Sequence, residues 1–388
     1  MSQAVAAMPR LAERVASVAP SATVEMTERV RLARAAGRDI LGLSSGDPNL
    51  ETHPAIIEAA HRAMLAGDTH YGPAAGSPAL RAAIARRLTA KADVAYGAEE
   101  ILVTPGGKFA VFAAFMAALG PGDEVVLLDP CWVSYGAAVR LAGGVPVRVP
   151  ALDTIDPALI ARAITPKTRM IVVNSPVNPT GKVLGRDELG ALVDLAERRD
   201  LWLVFDQVYA DLCFDPGGFA YLQSLPGAKQ RCFVADSLSK TYGMTGWRIG
   251  YLAAPEAAAK AVLKVVQHSI YCVPPFLQAG AEAALALPES VIDGYREQFR
   301  RRRDRAAAAL DRLPGFRCPV PPASFYLFPS IPGDDRATAA EWLEKLSVAA
   351  LPGSAFGELG RGHLRLSLTA PDAVLEEALR RIERHYGG

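Results

Sequence analysis

Cys232-Phe-Val-Ala235-Asp-Ser237-Leu-Ser-Lys240, followed after four residues by Thr245-Gly-Trp-Arg248-Ile-Gly250, is the stretch around which this chain is organised. Cys232 to Ala235 reads as one β-strand and Ile249 to Ala253 as another, because both are short apolar runs closed by small or polar residues. Between them a lysine stands one residue after a serine and eight residues before an arginine. A lysine amine can condense with an aldehyde, and an arginine flanked by hydroxyls can hold a phosphate. Either residue alone says little. Together they call for the other parts of a site that takes a phosphorylated aldehyde.

Working outward, the middle of the chain alternates strand-like and helical runs. Ile101 to Thr104 reads as a strand and Lys108 to Leu119 as a helix. Glu124 to Leu128 and Met170 to Val173 are strand-like, Asp187 to Arg199 helical, and Leu201 to Phe205 a strand again. This rhythm predicts an α/β domain with a mostly parallel sheet and helices on both faces. Its chemistry belongs in loops beyond the carboxyl ends of the strands. After about Ala286 a long helical stretch, then Phe325 to Phe328, His363 to Thr369 and a last helix predict a smaller α+β domain. The division expected is an N-terminal segment 1–45 joining the small domain, a large domain 46–285 and a small domain 286–388.

Composition narrows the function classes. Half of the 388 residues are hydrophobic, and 42 basic against 41 acidic side chains leave a net charge of +1. Such a balance favours no nucleic-acid or anionic-membrane partner. The longest apolar run, Phe109 to Leu119, is too short to cross a bilayer, and Arg10, Glu13 and Arg14 interrupt any signal-peptide core. Five scattered cysteines without CxxC spacing read as reduced core thiols of a cytoplasmic protein. The run Arg300 to Arg303 falls in a helical pattern with Tyr295, Phe299 and Leu310 on one face, which puts most of its arginines on the solvated side. The six histidines show no metal-ligand spacing, so no metal is expected.

Candidate site residues follow from position and chemistry. Gly106-Gly107-Lys108 closes a strand and opens a helix, where free amides and the helix dipole favour a phosphate, although a tight turn uses the same glycines. Asn174-Ser-Pro-Val-Asn178-Pro-Thr-Gly181 is a loop that prolines stiffen, aiming the Asn178 amide, although Asn-Pro also serves plain turns. Asp206 closes five apolar residues at a strand's carboxyl end. There a carboxylate can keep a pyridine nitrogen protonated, and Tyr209 lies three residues on. Arg365, in an alternating strand pattern with Leu364, Leu366 and Leu368, offers a carboxylate a planar fork; a surface ion pair is the alternative. The cofactor these parts suit is pyridoxal 5′-phosphate (PLP).

In this order the pieces resemble the fold-type-I PLP-dependent aminotransferases of classes I and II. The markers are Gly46-Asp-Pro48, Tyr71, Gly76, Leu80-Arg81, Gly106-Gly107-Lys108, Trp132, Asn178-Pro-Thr-Gly181, Asp206 with Tyr209, Ser237-x-Ser-Lys240, Arg248 and Arg365. The resemblance implies that Lys240 carries the cofactor and moves the substrate's Cα proton. It implies that Asp206 pairs with the ring nitrogen, that Asn178 and Tyr209 meet the phenolic oxygen, and that Trp132 stacks on the ring. Gly106, Gly107, Lys108, Ser237, Ser239 and Arg248 would surround the phosphate. Tyr71 would reach the phosphate of a partner subunit, implying a homodimer with shared sites. Arg365 and Asn178, near the Gly46 backbone, would hold the substrate α-carboxylate.

The implied reaction moves an amino group from an amino acid to a 2-oxo acid by a ping-pong scheme. Ser21, Thr23, Gly107-Lys108 and Trp132-Val-Ser-Tyr135 are similar to the prokaryotic aspartate aminotransferase subgroup, some members of which accept prephenate. An acidic donor such as aspartate is therefore the first expectation. Gln207 in place of the usual glutamate, Cys131 where an aromatic is common, and Phe109 after Lys108 depart from the pattern, and leave aromatic, neutral or basic donors open. A PLP-dependent lyase, decarboxylase or oxidase on the same fold shares Lys240 and Asp206. A PLP-sensing regulator would need a DNA-binding module, for which the stretch before Gly46 is too short.

Overall fold

The computed structural model describes residues 10–387. The ends of the expected N-terminal segment and small domain, residues 1–9 and 388, lie outside the described residues. Among the described residues twelve strands occur in chain order: β1 (Leu41–Gly42), β2 (Ile101–Thr104), β3 (Glu124–Asp129), β4 (Val145–Pro150), β5 (Thr168–Asn174), β6 (Trp202–Asp206), β7 (Cys232–Ser237), β8 (Gly250–Ala253), β9 (Tyr326–Leu327), β10 (Val348–Ala349), β11 (Leu351–Pro352) and β12 (Leu364–Ser367).

Seven strands form one sheet in the order β2-β8-β7-β6-β5-β3-β4. All neighbours are parallel except β8, which runs antiparallel to both β7 and β2. Apolar residues alternate between two cores. Ile171, Val173, Leu203, Phe205 and Val234 pack on one face. Met170, Val172, Val204, Phe233 and Ala235 pack on the other. A strand apolar at every position is stable only when both faces are covered, and here helices cover both. Each fully buried Val, Leu or Ile contributes about 2 kcal/mol.

Of the seven-stranded sheet, β4 is the strand that the sequence did not show; the short β1, β10 and β11 outside it were not read either. Pro146 and Pro150 each lack an amide donor, so the run Val145-Pro-Val-Arg-Val-Pro150 fits only a sheet edge, which is where it lies beyond β3. The long helix Glu289–Asp311 also departs from expectation in its basic run. Arg300 and Arg301 are exposed, but Arg302 is buried and Arg303 half-buried. Arg302 donates to Asp372 Oδ1 at 2.5 Å, to Asn49 Oδ1 at 2.8 Å and to the Leu368 carbonyl at 3.1 Å. Its fork therefore ties three segments together.

Register brings the polar ends of the central strands to one edge. Asn174 of β5 pairs with Asp206 of β6, and Asp206 with Ala235 of β7. Because β8 runs the other way, its first residue Gly250 sits beside both Ser237 and Thr104. Arg248 and the Gly106-Gly107 turn thus reach the same edge. Elsewhere β1 pairs parallel with β10, and β11-β12-β9 form an antiparallel sheet. No helix among the described residues is long and apolar enough to cross a membrane.

Candidate active site

A cavity of about 510 Å³ opens at that edge. Thr23, Gly46, Gly107, Lys108, Trp132, Asn178, Asp206, Tyr209, Ser237, Ser239, Lys240, Arg248 and Arg365 all line it. These are most of the residues singled out from the sequence. Ser21, Gly106 and Tyr71 are not in the lining. Ser21 stands before the helix Ala22–Ala35, and Tyr71 is 86% exposed with its ring edge-on to Tyr271 at 5.0 Å. Phe109 and Cys131 do not line the cavity either. Phe109 packs beside Phe112, and Cys131 is buried in the core, where loss of hydration pushes its thiol up to about 12. Neither residue sets the polarity of the cavity.

Lys240 belongs to a single helical turn, Leu238–Thr241, that follows β7 directly. Ser237 Oγ accepts from the Ser239 amide at 3.1 Å and so caps that turn. Lys240 Nζ donates to the Gly46 carbonyl at 2.6 Å. Burial lowers the lysine to about 8; Asp47 opposes the shift, while Arg248, Arg365 and Lys108 add repulsion. A tenth or so of its amine is therefore neutral near pH 7.

Asp206 is held by partners the sequence did not reveal. Tyr135 donates to its Oδ2 at 2.6 Å and the Val208 amide to its Oδ1 at 3.3 Å. Burial raises the carboxyl to about 6, against these two bonds. Asn174 donates to the Asp206 carbonyl at 2.9 Å and accepts from the Asn178 amide at 2.8 Å, which fixes the stiff loop. Tyr135 falls in the quoted run Trp132-Val-Ser-Tyr135, yet only the strand order β6-β5-β3 brings it to Asp206. Tyr326 is a second unforeseen member: its hydroxyl lies 3.1 Å from that of Tyr209.

Arg365 is not a surface ion-pair residue. It is buried, donating to Asn178 Oδ1 at 3.2 Å and to the Ser44 carbonyl at 2.6 Å, with its guanidinium 4.3 Å over the Tyr326 ring. Among the described residues it forms no salt bridge, and its Nε lacks a partner. A buried guanidinium without an acid is costly unless an anion arrives. Lys108 resembles it: its Nζ lies 5.1 Å over the Trp132 ring, and burial, helped by Arg248, lowers its pKa. The Thr23 hydroxyl is also buried and unpartnered.

These residues fit a phosphorylated aldehyde. At Gly106 φ is +86°, and a Cβ there would stand 2.6 Å from Arg248 Nη2, so a glycine lets the guanidinium close on the turn. Arg248 itself adopts φ +54° and is held by the carbonyls of Thr245 and Pro105 at 3.0 and 3.1 Å. Ser237, Ser239 and the first amides of the helix Gly107–Ala118 complete a donor set suited to a phosphate. Among the described residues no group of His, Cys, Asp and Glu could hold a metal ion.

Comparison with known proteins agrees with this chemistry. The family profile "Aminotransferase class I and II" matches residues 38–382. An aspartate/prephenate aminotransferase of Cereibacter sphaeroides is 38% identical over 98% of this chain and 100% of its own length. An aspartate aminotransferase of Geobacillus stearothermophilus is 37% identical over 97% of this chain and 98% of its own. The solved structure of Thermus thermophilus aspartate aminotransferase with maleate superposes with a TM-score of 0.92 at 38% identity, over 97% of this chain and 100% of that one. Fold, cavity and relatives together show that the chain belongs to the class I and II aminotransferases and is a PLP-dependent transaminase of fold type I.

Proposed function

We propose that this enzyme takes a dicarboxylic amino acid, aspartate or a close relative, as amino donor. One observation carries the reading: Arg365 and Lys108, two cations without acidic partners among the described residues, line one cavity. A dicarboxylate supplies one carboxylate for each, and the unpartnered Thr23 hydroxyl adds a donor. The names of the C. sphaeroides and G. stearothermophilus relatives support the same choice.

In the proposed mechanism, Arg365 receives the α-carboxylate bidentately, with Asn178 and the Gly46 segment beside it. Lys240 would anchor the cofactor through its amine and, when free, would carry the proton between the substrate's Cα and the cofactor's C4′. PLP supplies an electron-accepting ring. Asp206, oriented by Tyr135, holds a proton on the ring nitrogen. Tyr209 and Asn178 would hold the phenolic oxygen and Trp132 would cover the ring face. Gly107, Ser237, Ser239 and Arg248 would bind the phosphate, which leaves Lys108 to the second carboxylate.

We further propose that the enzyme works as a homodimer in which Tyr71 serves the partner's phosphate. The exposed Tyr71, Tyr271, Ile57 and Leu65 support this reading. The division into a large body, 46–285, and a smaller one made of 1–45 with 286–388 is proposed on the pairing of β1 with β10. A cytoplasmic setting is proposed on five unpaired cysteines.

Titrating the holoenzyme with a panel of amino acids, and following the absorbance of the lysine-linked cofactor as it converts to the amine form, tests the donor. Aspartate and glutamate are expected to act at the lowest concentrations. A response to aromatic or basic amino acids alone would overturn the reading. Glutamate formed from aspartate and 2-oxoglutarate marks a transaminase, whereas pyruvate and ammonia formed without an acceptor would mark a lyase.

A further inference from the structure

Beneath the cavity, and outside its lining, lies a buried polar cluster that the mechanism does not use. Asp236 follows Ala235 on β7 and precedes Ser237. Its Oδ1 accepts from the Ser237 amide at 2.7 Å. Its Oδ2 accepts from Gln207 Nε2 at 2.9 Å and from the Tyr251 hydroxyl at 2.8 Å. Gln207 in turn accepts at Oε1 from Gln223 Nε2, 3.0 Å away. Gln207 and Gln223 are buried, and among the described residues Gln223 Oε1 has no partner.

The cluster joins two ends of the site. Gln207 directly follows Asp206, the group assigned to the ring nitrogen. Asp236 directly precedes Ser237, which caps the Lys240 turn and faces the phosphate. We propose that Gln207, Asp236 and Tyr251 are positioning residues, a brace that sets the spacing between Asp206 and the phosphate seat and so the grip on the cofactor. The inference rests on the cofactor placement proposed above.

The donor pattern dictates where the acid stands. Three donors converge on residue 236, which a carboxylate alone accepts on both oxygens. Residue 207 must donate to Asp236 and accept from Gln223, which an amide does and a carboxylate does not. A glutamate at 207, usual in the proteins this chain resembles, would set two carboxylates face to face here. The Gln207 departure is thus explained by its partner on β7. Burial, with Asp211 nearby, raises Asp236 to about 7 against its three donors. The other titratable groups around it are Tyr251, Tyr221, Tyr242 and Arg87.

Three variants test the brace: Gln207→Glu, Asp236→Asn and the two combined. Each holoenzyme is dialysed at pH 8.5, where facing carboxylates would both tend to ionise, and the rate of cofactor loss is read alongside the melting temperature of the apoprotein. Gln207→Glu is expected to speed the loss at least about tenfold, the size of a one-unit pK perturbation. Asp236→Asn is expected to speed it less. The double variant restores one acid and one amide in reversed order, and is expected within about threefold of wild type, a coupling that independent sites do not show. Equal rates in all four proteins, or a double variant worse than both singles, would overturn the proposal. Should Gln207→Glu not fold, Tyr251→Phe decides. It removes one donor and adds no charge, and an unchanged loss rate would refute the brace. Borohydride reduction and peptide mapping separate the two claims: a label elsewhere than Lys240 sinks the cofactor placement, while a label on Lys240 with equal loss rates sinks the brace alone.

Discussion

Replacing Tyr135 by Phe tests how the electron sink is held. The Tyr135 hydroxyl gives Asp206 its shorter bond, 2.6 Å, and the Val208 amide only a 3.3 Å one. A hydrogen bond to a charged group contributes about 1.5–3 kcal/mol. At about 1.4 kcal/mol per pK unit, its loss raises Asp206 by about one to two units from a value already lifted to about 6 by burial. The sign follows from linkage. Holding a proton on the ring nitrogen requires ionised Asp206, so below its pKa binding must first expel a proton. Affinity then falls about tenfold per pH unit, and above the pKa it is flat. The break should therefore move up by about one to two pH units in Tyr135→Phe. Pyridoxamine phosphate is the ligand to use, because it forms no bond with Lys240. Its dissociation constant is measured by fluorescence between pH 5 and 8.5. The ligand's own titrations, including a phosphate pKa near 6, are common to both proteins and cancel in the comparison. A break within about 0.3 pH units of wild type, in a variant that folds normally, would refute the reasoning.

Lys240→Ala should lower turnover by about a thousandfold or more while cofactor still binds through its phosphate, as equilibrium dialysis can check. Arg365→Lys keeps the charge but loses the planar fork, and is expected to raise KM for the amino acid by roughly a hundredfold with a smaller change in kcat. Gly106→Ala adds a Cβ at positive φ against Arg248, so cofactor affinity should fall by about tenfold, one pK-unit equivalent of binding energy, in a dialysis assay. The rate at which the apoprotein forms its lysine linkage should climb with pH until about 8 and then level, since only the neutral amine reacts and burial has lowered Lys240 to that value.

Much of the fold was legible because its signals are local. All eight strand-like runs expected from residue 101 onward occur with ends within about two residues of those named, the last two, Phe325 to Phe328 and His363 to Thr369, shortening to β9 and β12. The two-residue strands β1, β10 and β11 were not read, being too short to show a pattern, nor was β4, whose prolines hide an edge strand from any reading by apolar runs. Lys240, Arg248, Asp206 and Arg365 could be named because each closes or interrupts a regular run with a group of distinctive chemistry. Arg302 could not, since a basic run on a helix looks solvated until Asn49, Leu368 and Asp372 close over it.

The sequence by itself determined which residues carry chemistry and in what kind of layered sheet they sit, because periodicity and motif are written within a few neighbouring positions. Only the tertiary structure decided what each of them faces. Tyr135 reaches Asp206 across 71 residues, and Arg365 reaches Asn178 across 187. Gln207 finds in Asp236 the acid its own position lacks. Such pairs are set by strand order and by the burial that makes an unpaired polar group expensive, and neither is fixed until the chain has packed.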